Sequence, residues 1–195
     1  MRLFVALDID EGIRERISRF LEGVRNFSPE ARWIQPESMH ITLKFVGEQP
    51  ESALGSIQQA LQSVSGKRCE IHFRGYGFFP TAKAARVFWL GIEAGPQLGE
   101  LAGSIDAQLG TLGIPEEERA FSPHLTLARS TGGSGAPHRK KSDRANRAFQ
   151  HLQEKLAALP TPEFGTMTAH EFFLYQSQLS PKGSKYTKLQ KFALT

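Results

Sequence analysis

Four side chains of this 195-residue chain recur as a set. His40 and Thr42 stand in Met39-His40-Ile41-Thr42-Leu43-Lys44-Phe45, and His124 and Thr126 stand in Pro123-His124-Leu125-Thr126-Leu127-Ala128-Arg129. Alternate side chains of an extended strand share a face, so each segment offers an imidazole and a hydroxyl together, backed by leucine and isoleucine on the other side. An imidazole titrates near pH ~6.5, so at neutral pH one of a facing pair can be uncharged and the other protonated without extreme perturbation. Such a pair suits displacement at a phosphodiester. One imidazole takes a proton from water while the other gives one to the departing ribose oxygen across the phosphorus. Two hydroxyls can donate hydrogen bonds to the non-bridging oxygens, where charge changes as the bonds exchange. Zinc ligation is disfavoured: it wants a third His, Cys or carboxylate nearby, and neither segment carries a His-x-x-x-His spacing.

A lone His-x-Thr in an apolar strand is ordinarily a core or surface feature, so the elements around the pair decide its meaning. Leu3-Phe4-Val5 precedes His40 and Val87-Phe88-Trp89 precedes His124 by the same 37 to 35 residues, an offset of 84 throughout. Hydrophobic periodicity predicts a strand from Leu3 to Ile9 and a helix from Glu11 to Phe27, with Asp10 as its cap. Strands follow at Ala31–Ile34 and His40–Val46, then a helix over Leu54–Val64 and strands at Cys69–Phe79 and Ala85–Ile92. A helix over Leu98–Leu112 takes the place of the first one in the second half. After the second motif a Gly-rich insert at about 131–143 reads as a flexible loop. A third amphipathic stretch over Ala145–Leu159 precedes single strands at Met167–Tyr175 and Tyr186–Leu194. Two copies of this length predict one two-lobed, pseudo-symmetric domain spanning 1–195, in which equivalent strands aim their groups at a shared point.

Composition narrows the classes without choosing one. Hydrophobic residues at 39% and charged residues at 23% fit a soluble globular protein and exclude a disordered one. A net charge of +4 and a pI near 9.3 suit an anionic partner. One cysteine, Cys69, excludes an internal disulfide and a thiol-rich zinc site, and reads as a small buried apolar residue. No apolar run reaches membrane-spanning length and the N-terminal residues do not resemble a signal sequence, so the expected location is the cytoplasm.

Around the four-residue set stand weaker candidates. Lys44 shares strand parity with His40 and Thr42 and would add charge to the cleft; against that stands a solvated strand end. Arg129 reaches the face of His124 and Thr126 only if the strand bends, and is otherwise a strand-end ion pair. Trp33, Tyr76, Phe78 and Phe79 are candidate stacking platforms for bases, weighed against core packing. The basic run at 139–147 is either a solvated helix start or a grip on an RNA backbone. His72, His138, His151 and His170 lack a threonine partner and read as structural or surface residues.

The doubled His-x-Thr-Leu resembles the signature of the two-histidine (2H) phosphoesterase superfamily. More narrowly, Arg2–Leu7, the run from Arg32 to Gly47, Ser122–Arg129, and the closing pattern of Tyr186, Leu189 and Phe192 resemble the bacterial and archaeal RNA 2',3'-cyclic phosphodiesterases, also called 2'-5' RNA ligases. The resemblance implies a bilobal α+β fold of two antiparallel sheets flanked by helices, with both motifs lining a central cleft. It implies metal-independent hydrolysis of a ribose 2',3'-cyclic phosphate to a 2'-phosphate, with no cofactor. His40 would be the donor to the leaving 3' oxygen, His124 the acceptor that activates water, and Thr42 and Thr126 the holders of the phosphate. The partner would be RNA with a cyclic phosphate end, tRNA halves among them, met by a monomer needing no protein partner and no membrane. Run backward, the pair would join that end to a 5'-hydroxyl. Two other readings stay open: a 2H enzyme acting on a small cyclic nucleotide, and a non-catalytic RNA- or nucleotide-binding module.

Overall fold

Period-two burial organises the first strand, β1 (Arg2–Leu7): Leu3, Val5 and Leu7 face the main core, while Phe4 and Ala6 face a smaller cluster with Phe173 and Tyr175. β1 is therefore covered on both faces, and a strand pairs with it on each side. The computed structural model describes residues 1–131, 147–180 and 183–195. Nine strands among them form two antiparallel sheets with helices packed against them, an α+β architecture. The first sheet runs β3 (Ile41–Glu48), β1, β8 (Glu171–Ser180), β9 (Gly183–Ala193). The second runs β2 (Arg32–Trp33), β6 (His124–Arg129), β5 (Val87–Ala94), β4 (Cys69–Phe79), β7 (Glu163–Ala169).

Apart from β2, the sheets correspond strand for strand: β3 to β6, β1 to β5, β8 to β4 and β9 to β7. The halves of the sequence are nonetheless interleaved. β4 lies beside β5 of the second half, and β8 lies beside β1 of the first. The helices cross over too. α1 (Glu11–Val24) follows β1 but packs on β7, where Phe20 meets Phe164 edge-on at 5.2 Å and Arg16 donates to the Phe164 carbonyl. α3 (Pro96–Gly110) follows β5 but packs on β3. α2 (Leu54–Gln62) joins α3 on the first sheet, and α4 (Gln150–Ala157) lies near the end of α1 on the second.

The strand registers correct the predicted repeat by one residue. Ala6 pairs with Thr42 and Leu7 with Ile41; Trp89 pairs with Thr126 and Leu90 with Leu125. The first strand therefore repeats at an offset of 83, while the motifs repeat at 84. A slip of one residue exchanges the two faces of a strand. Phe88 is accordingly buried in the main core, while the partly exposed Trp89 sits where Ala6 sits in the first sheet.

Two other expectations change. The single strand predicted over Met167–Tyr175 is two strands, because the chain leaves the second sheet at Ala169 and enters the first at Glu171. Apolar alternation runs on through that crossing and hides it. Asp10 holds the N-cap position of α1, but its carboxylate makes no capping hydrogen bond. Nearly all of the predicted insert at 131–143, and the basic run up to residue 146, lie outside the described residues.

Candidate active site

Each motif strand carries a bulge at the same place. Lys44 pairs with Val5 and Thr42 with Ala6, which leaves Leu43 as the extra residue; Ala128 pairs with Phe88 and Thr126 with Trp89, which leaves Leu127. An extra residue reverses the alternation beyond it. Leu43 and Lys44 are both buried, as are Leu127 and Ala128, and the following Phe45 and Arg129 return to the faces of Thr42 and Thr126. The bend that Arg129 required is thus present, and its guanidinium lies near enough to His40 to disfavour a charge there.

Both imidazoles are anchored alike. Nδ1 of His40 donates to the Ser38 carbonyl at 2.7 Å, and Nδ1 of His124 donates to the Ser122 carbonyl at 2.9 Å. A carbonyl only accepts, so the ring proton sits on Nδ1 and each Nε2 is left to exchange protons with a substrate. β3 touches β6, and His124 lies near enough to His40 to disfavour a charge there.

The walls differ. Around His40 the ring of Phe4 lies 4.9 Å away, Tyr186 meets it edge-on at 5.1 Å and Tyr175 stands at 6.3 Å. Around His124 stand Phe79 at 5.4 Å and Trp89 at 6.4 Å. Cross-strand volumes are exchanged between the sheets: small Ala6 faces large Phe173, whereas large Trp89 faces Gly77. A Cβ on Gly77 would collide with the indole, so glycine there lets Trp89 lie across the strand. β9 extends past His40 with Tyr186 and Lys188, while β7 begins only at Glu163 opposite Arg74, so β7 supplies no equivalent of either on the His124 side.

Beside His40 a cavity of about 420 Å³ is lined by Asp8, Arg14, Tyr175, Tyr186 and Lys188 among others. Asp8 accepts from Lys188, from Arg14 at 2.8 Å and from the Ile9 amide at 2.9 Å. Burial pushes the Asp8 carboxyl up, but these hydrogen bonds and the Lys188 charge outweigh it and hold it below the usual carboxylate value. Burial pushes His40 down; the Ser38 hydrogen bond and Asp8 pull it up, Arg129 and His124 push it down, and the balance lies below the ordinary imidazole value. Burial, then the Asp8 charge, raises the Tyr175 phenol, which stays protonated.

The structure thus brings His124 and Arg129 within electrostatic reach of His40, and strand parity puts Thr42 and Thr126 on the faces of their histidines. Lys44 is not among them. The bulge turns it to the helical side, where its ammonium is buried against Asp106 of α3 at 2.5 Å and donates to the Pro115 carbonyl at 2.6 Å. Trp33 is tied to the core: its indole donates to the Ser28 carbonyl at 2.9 Å and packs edge-on against buried Phe88 at 5.9 Å. Tyr76 and Phe78 pack on Phe88 as well, and of the four aromatic candidates Phe79 alone borders a motif histidine. His72 lies between Glu163 at 2.8 Å and Glu93 at 3.7 Å on the neighbouring strands. Among the described residues no group of three or more His, Cys, Asp or Glu side chains is placed to hold a metal ion. Sequence reasoning missed Asp8, Phe4, Tyr175 and Lys188. The signal for Asp8 was its parity with Ala6 at the end of β1; Tyr175 and Lys188 come from C-terminal strands that carry no repeat marker.

Two corresponding antiparallel sheets, each with a bulged His-x-Thr strand flanking the same cleft, make this an α+β phosphoesterase of the 2H class. The chain belongs to the family described as "LigT like Phosphoesterase", which matches it twice, over residues 7–89 and 90–186. Those two matches begin 83 residues apart, the offset of the first strands. The chain is similar to the RNA 2',3'-cyclic phosphodiesterase of Archaeoglobus fulgidus, at 35% identity over 98% of this chain and 99% of that one. It is 32% identical to the enzyme of the same name from Methanothermobacter thermautotrophicus, over 100% and 99% of the two chains. A crystal structure from Thermus thermophilus matches with a TM-score of 0.77 at 30% identity, over 100% of this chain and 98% of that one. E. coli LigT complexed with 3'-AMP matches with a TM-score of 0.76 at 26% identity, over 100% and 98%.

Proposed function

We propose that this protein, as a cytoplasmic monomer needing no metal, hydrolyses the 2',3'-cyclic phosphate at the end of an RNA to a 2'-phosphate. The observation that carries the reading is the pair of imidazoles anchored through Nδ1 on corresponding strands, each with Nε2 left to exchange a proton. The names of the relatives support the substrate. Thr42, Thr126 and Arg129 hold the non-bridging oxygens. His124 takes a proton from water as its oxygen bonds to phosphorus, and His40 gives its proton to the 3' oxygen as the P–O3' bond breaks. Exchange with solvent then resets both rings. A 5'-hydroxyl of a second RNA can take the place of that water: it loses its proton to His124 and bonds to phosphorus as the P–O3' bond breaks and His40 protonates the 3' oxygen, which gives a 2'-5' linkage.

The test is an oligonucleotide ending in a 2',3'-cyclic phosphate, with EDTA present. The expected product is the 2'-phosphate, and His40→Ala or His124→Ala should each lower the rate by about 10²-fold or more. A 3'-phosphate product, or full activity in either variant, overturns the assignment. A small cyclic nucleotide is the second reading, supported by a related structure that holds 3'-AMP. Faster turnover of a nucleoside 2',3'-cyclic phosphate than of the oligomer would favour it.

A further inference from the structure

The two histidines sit at corresponding places and are anchored alike, so the pair itself does not decide which ring gives a proton and which takes one. The symmetry breaks one step beyond the last paired residues of β1 and β3. Leu7 pairs with Ile41, and the next residues on the cleft-facing parity are Asp8 and His40, which line the same cavity. At the corresponding place in the second sheet, His124 pairs with Gly91, which carries no side chain. A Cβ on Gly91 would collide with the Arg74 carbonyl, so that position has no room for a counterpart of Asp8.

We propose that Asp8 is the positioning residue that gives the reaction its direction, its carboxylate holding the transferable proton on His40 rather than on His124 once a phosphate is bound. The proposal rests on reading the two histidines as acid and base. The carboxylate is fixed by three donors, from Lys188, Arg14 and the Ile9 amide, and is kept ionised by them. The groups that bear on His40 are Asp8 beyond β1, Arg14 on α1, Glu37 in the turn before the motif, Tyr175 on β8, Tyr186 and Lys188 on β9, and His124 and Arg129 on β6. In the free protein burial, Arg129 and His124 push the proton off His40, and Asp8 opposes them. A bound phosphate anion pairs with Arg129, and a neutral His124 acting as base carries no charge. The two opposing charges are then cancelled, and of the charged groups of the protein the Asp8 carboxylate is left to offset the cost of burial. Lys188 tempers it, because its ammonium draws on the same carboxylate while also lying over the Phe173 ring at 4.3 Å.

The experiment is an NMR titration of the two histidine side chains in saturating inorganic phosphate, in the wild type, Asp8→Asn and Lys188→Met, with the pH profile of oligonucleotide hydrolysis recorded alongside. In the wild type the His40 midpoint should lie above that of His124. Asp8→Asn should lower the His40 midpoint by about one unit, leave His124 in place, and reduce kcat about tenfold on the alkaline limb with KM little changed. Lys188→Met should move the His40 midpoint the opposite way, which keeps the test decisive should Asp8→Asn fail to fold. A His40 midpoint below that of His124 in the wild type overturns the proposal. So do equal shifts of both rings, no shift of either, or a loss of kcat uniform across pH. The titration uses phosphate alone, so a wild type that leaves the RNA uncut would sink the function above while this question is still answered.

Discussion

His40 ties the chemistry of the cleft to the stability of the fold. Its folded pKa lies below the ordinary 6.5, chiefly because the ring is buried. Below that pH the unfolded chain binds a proton that the folded chain resists, so His40 costs stability as the pH falls through the unfolded value toward the folded one. Asp8 acts in the same sense further down: its lowered folded pKa contributes stability that is lost as the pH falls below the ordinary 3.8. We expect urea unfolding of the wild type to weaken between pH 7 and 5 more steeply than that of His40→Gln, whose amide can still donate to the Ser38 carbonyl. Parallel pH dependences would show that His40 is not held toward its neutral form.

At the scale of elements, the paired bulges decide which side chains reach the cleft. Strict alternation puts Lys44 beside Thr42; the bulge at Leu43 exchanges it for Phe45 and sends the ammonium to Asp106. That ion pair ties β3 to α3 and, through the Pro115 carbonyl and the Glu117 amide that donates to Asp106, to the segment leading into β6. Removing one partner of a buried pair strands the other, at a usual cost of ~3–5 kcal/mol. Asp106 is one-fifth exposed and keeps the Glu117 amide, so Lys44→Met should cost about 2 kcal/mol. Chemical denaturation measures this, while kcat of the folded fraction should stay near the wild-type value. A tenfold fall in kcat with unchanged stability would instead put Lys44 at the phosphate. Bulges leave no mark in a one-dimensional pattern, because a buried lysine and a solvated one read the same until the partner strand fixes the register.

On the scale of the whole molecule, the interleaving makes the two sequence halves interdependent. Residues 1–86 hold β1 without its neighbour β8, and β4 without β5 or β7; residues 87–195 hold β8 and β9 without β1, and β5 without β4. Each half alone leaves apolar strand faces and backbone groups unpaired. Circular dichroism should find both fragments unfolded when expressed separately, and denaturant should unfold the intact chain in one transition. A fragment that folds alone, or two separate transitions, would show the sheets to be independent lobes.

What the sequence determined by itself was the candidate set of side chains and its duplication. Residue types are local facts, and a histidine and a hydroxyl two apart in a strand share a face whatever surrounds them, so His40, Thr42, His124 and Thr126 were legible as a set. Most helices and strands were legible too, because alternation and helical periodicity are imprinted within a dozen residues. Tertiary structure alone decided the one-residue slip that makes Trp89, not Phe88, a wall of the site, the bulges that exchange Lys44 for Phe45 and admit Arg129, and the strand crossing at His170. It alone set Asp8 beside one histidine and a glycine beside the other. Those facts depend on which strand lies next to which and in what register, and pairing between segments distant in the chain is set by the packing of the whole core rather than by any stretch read alone.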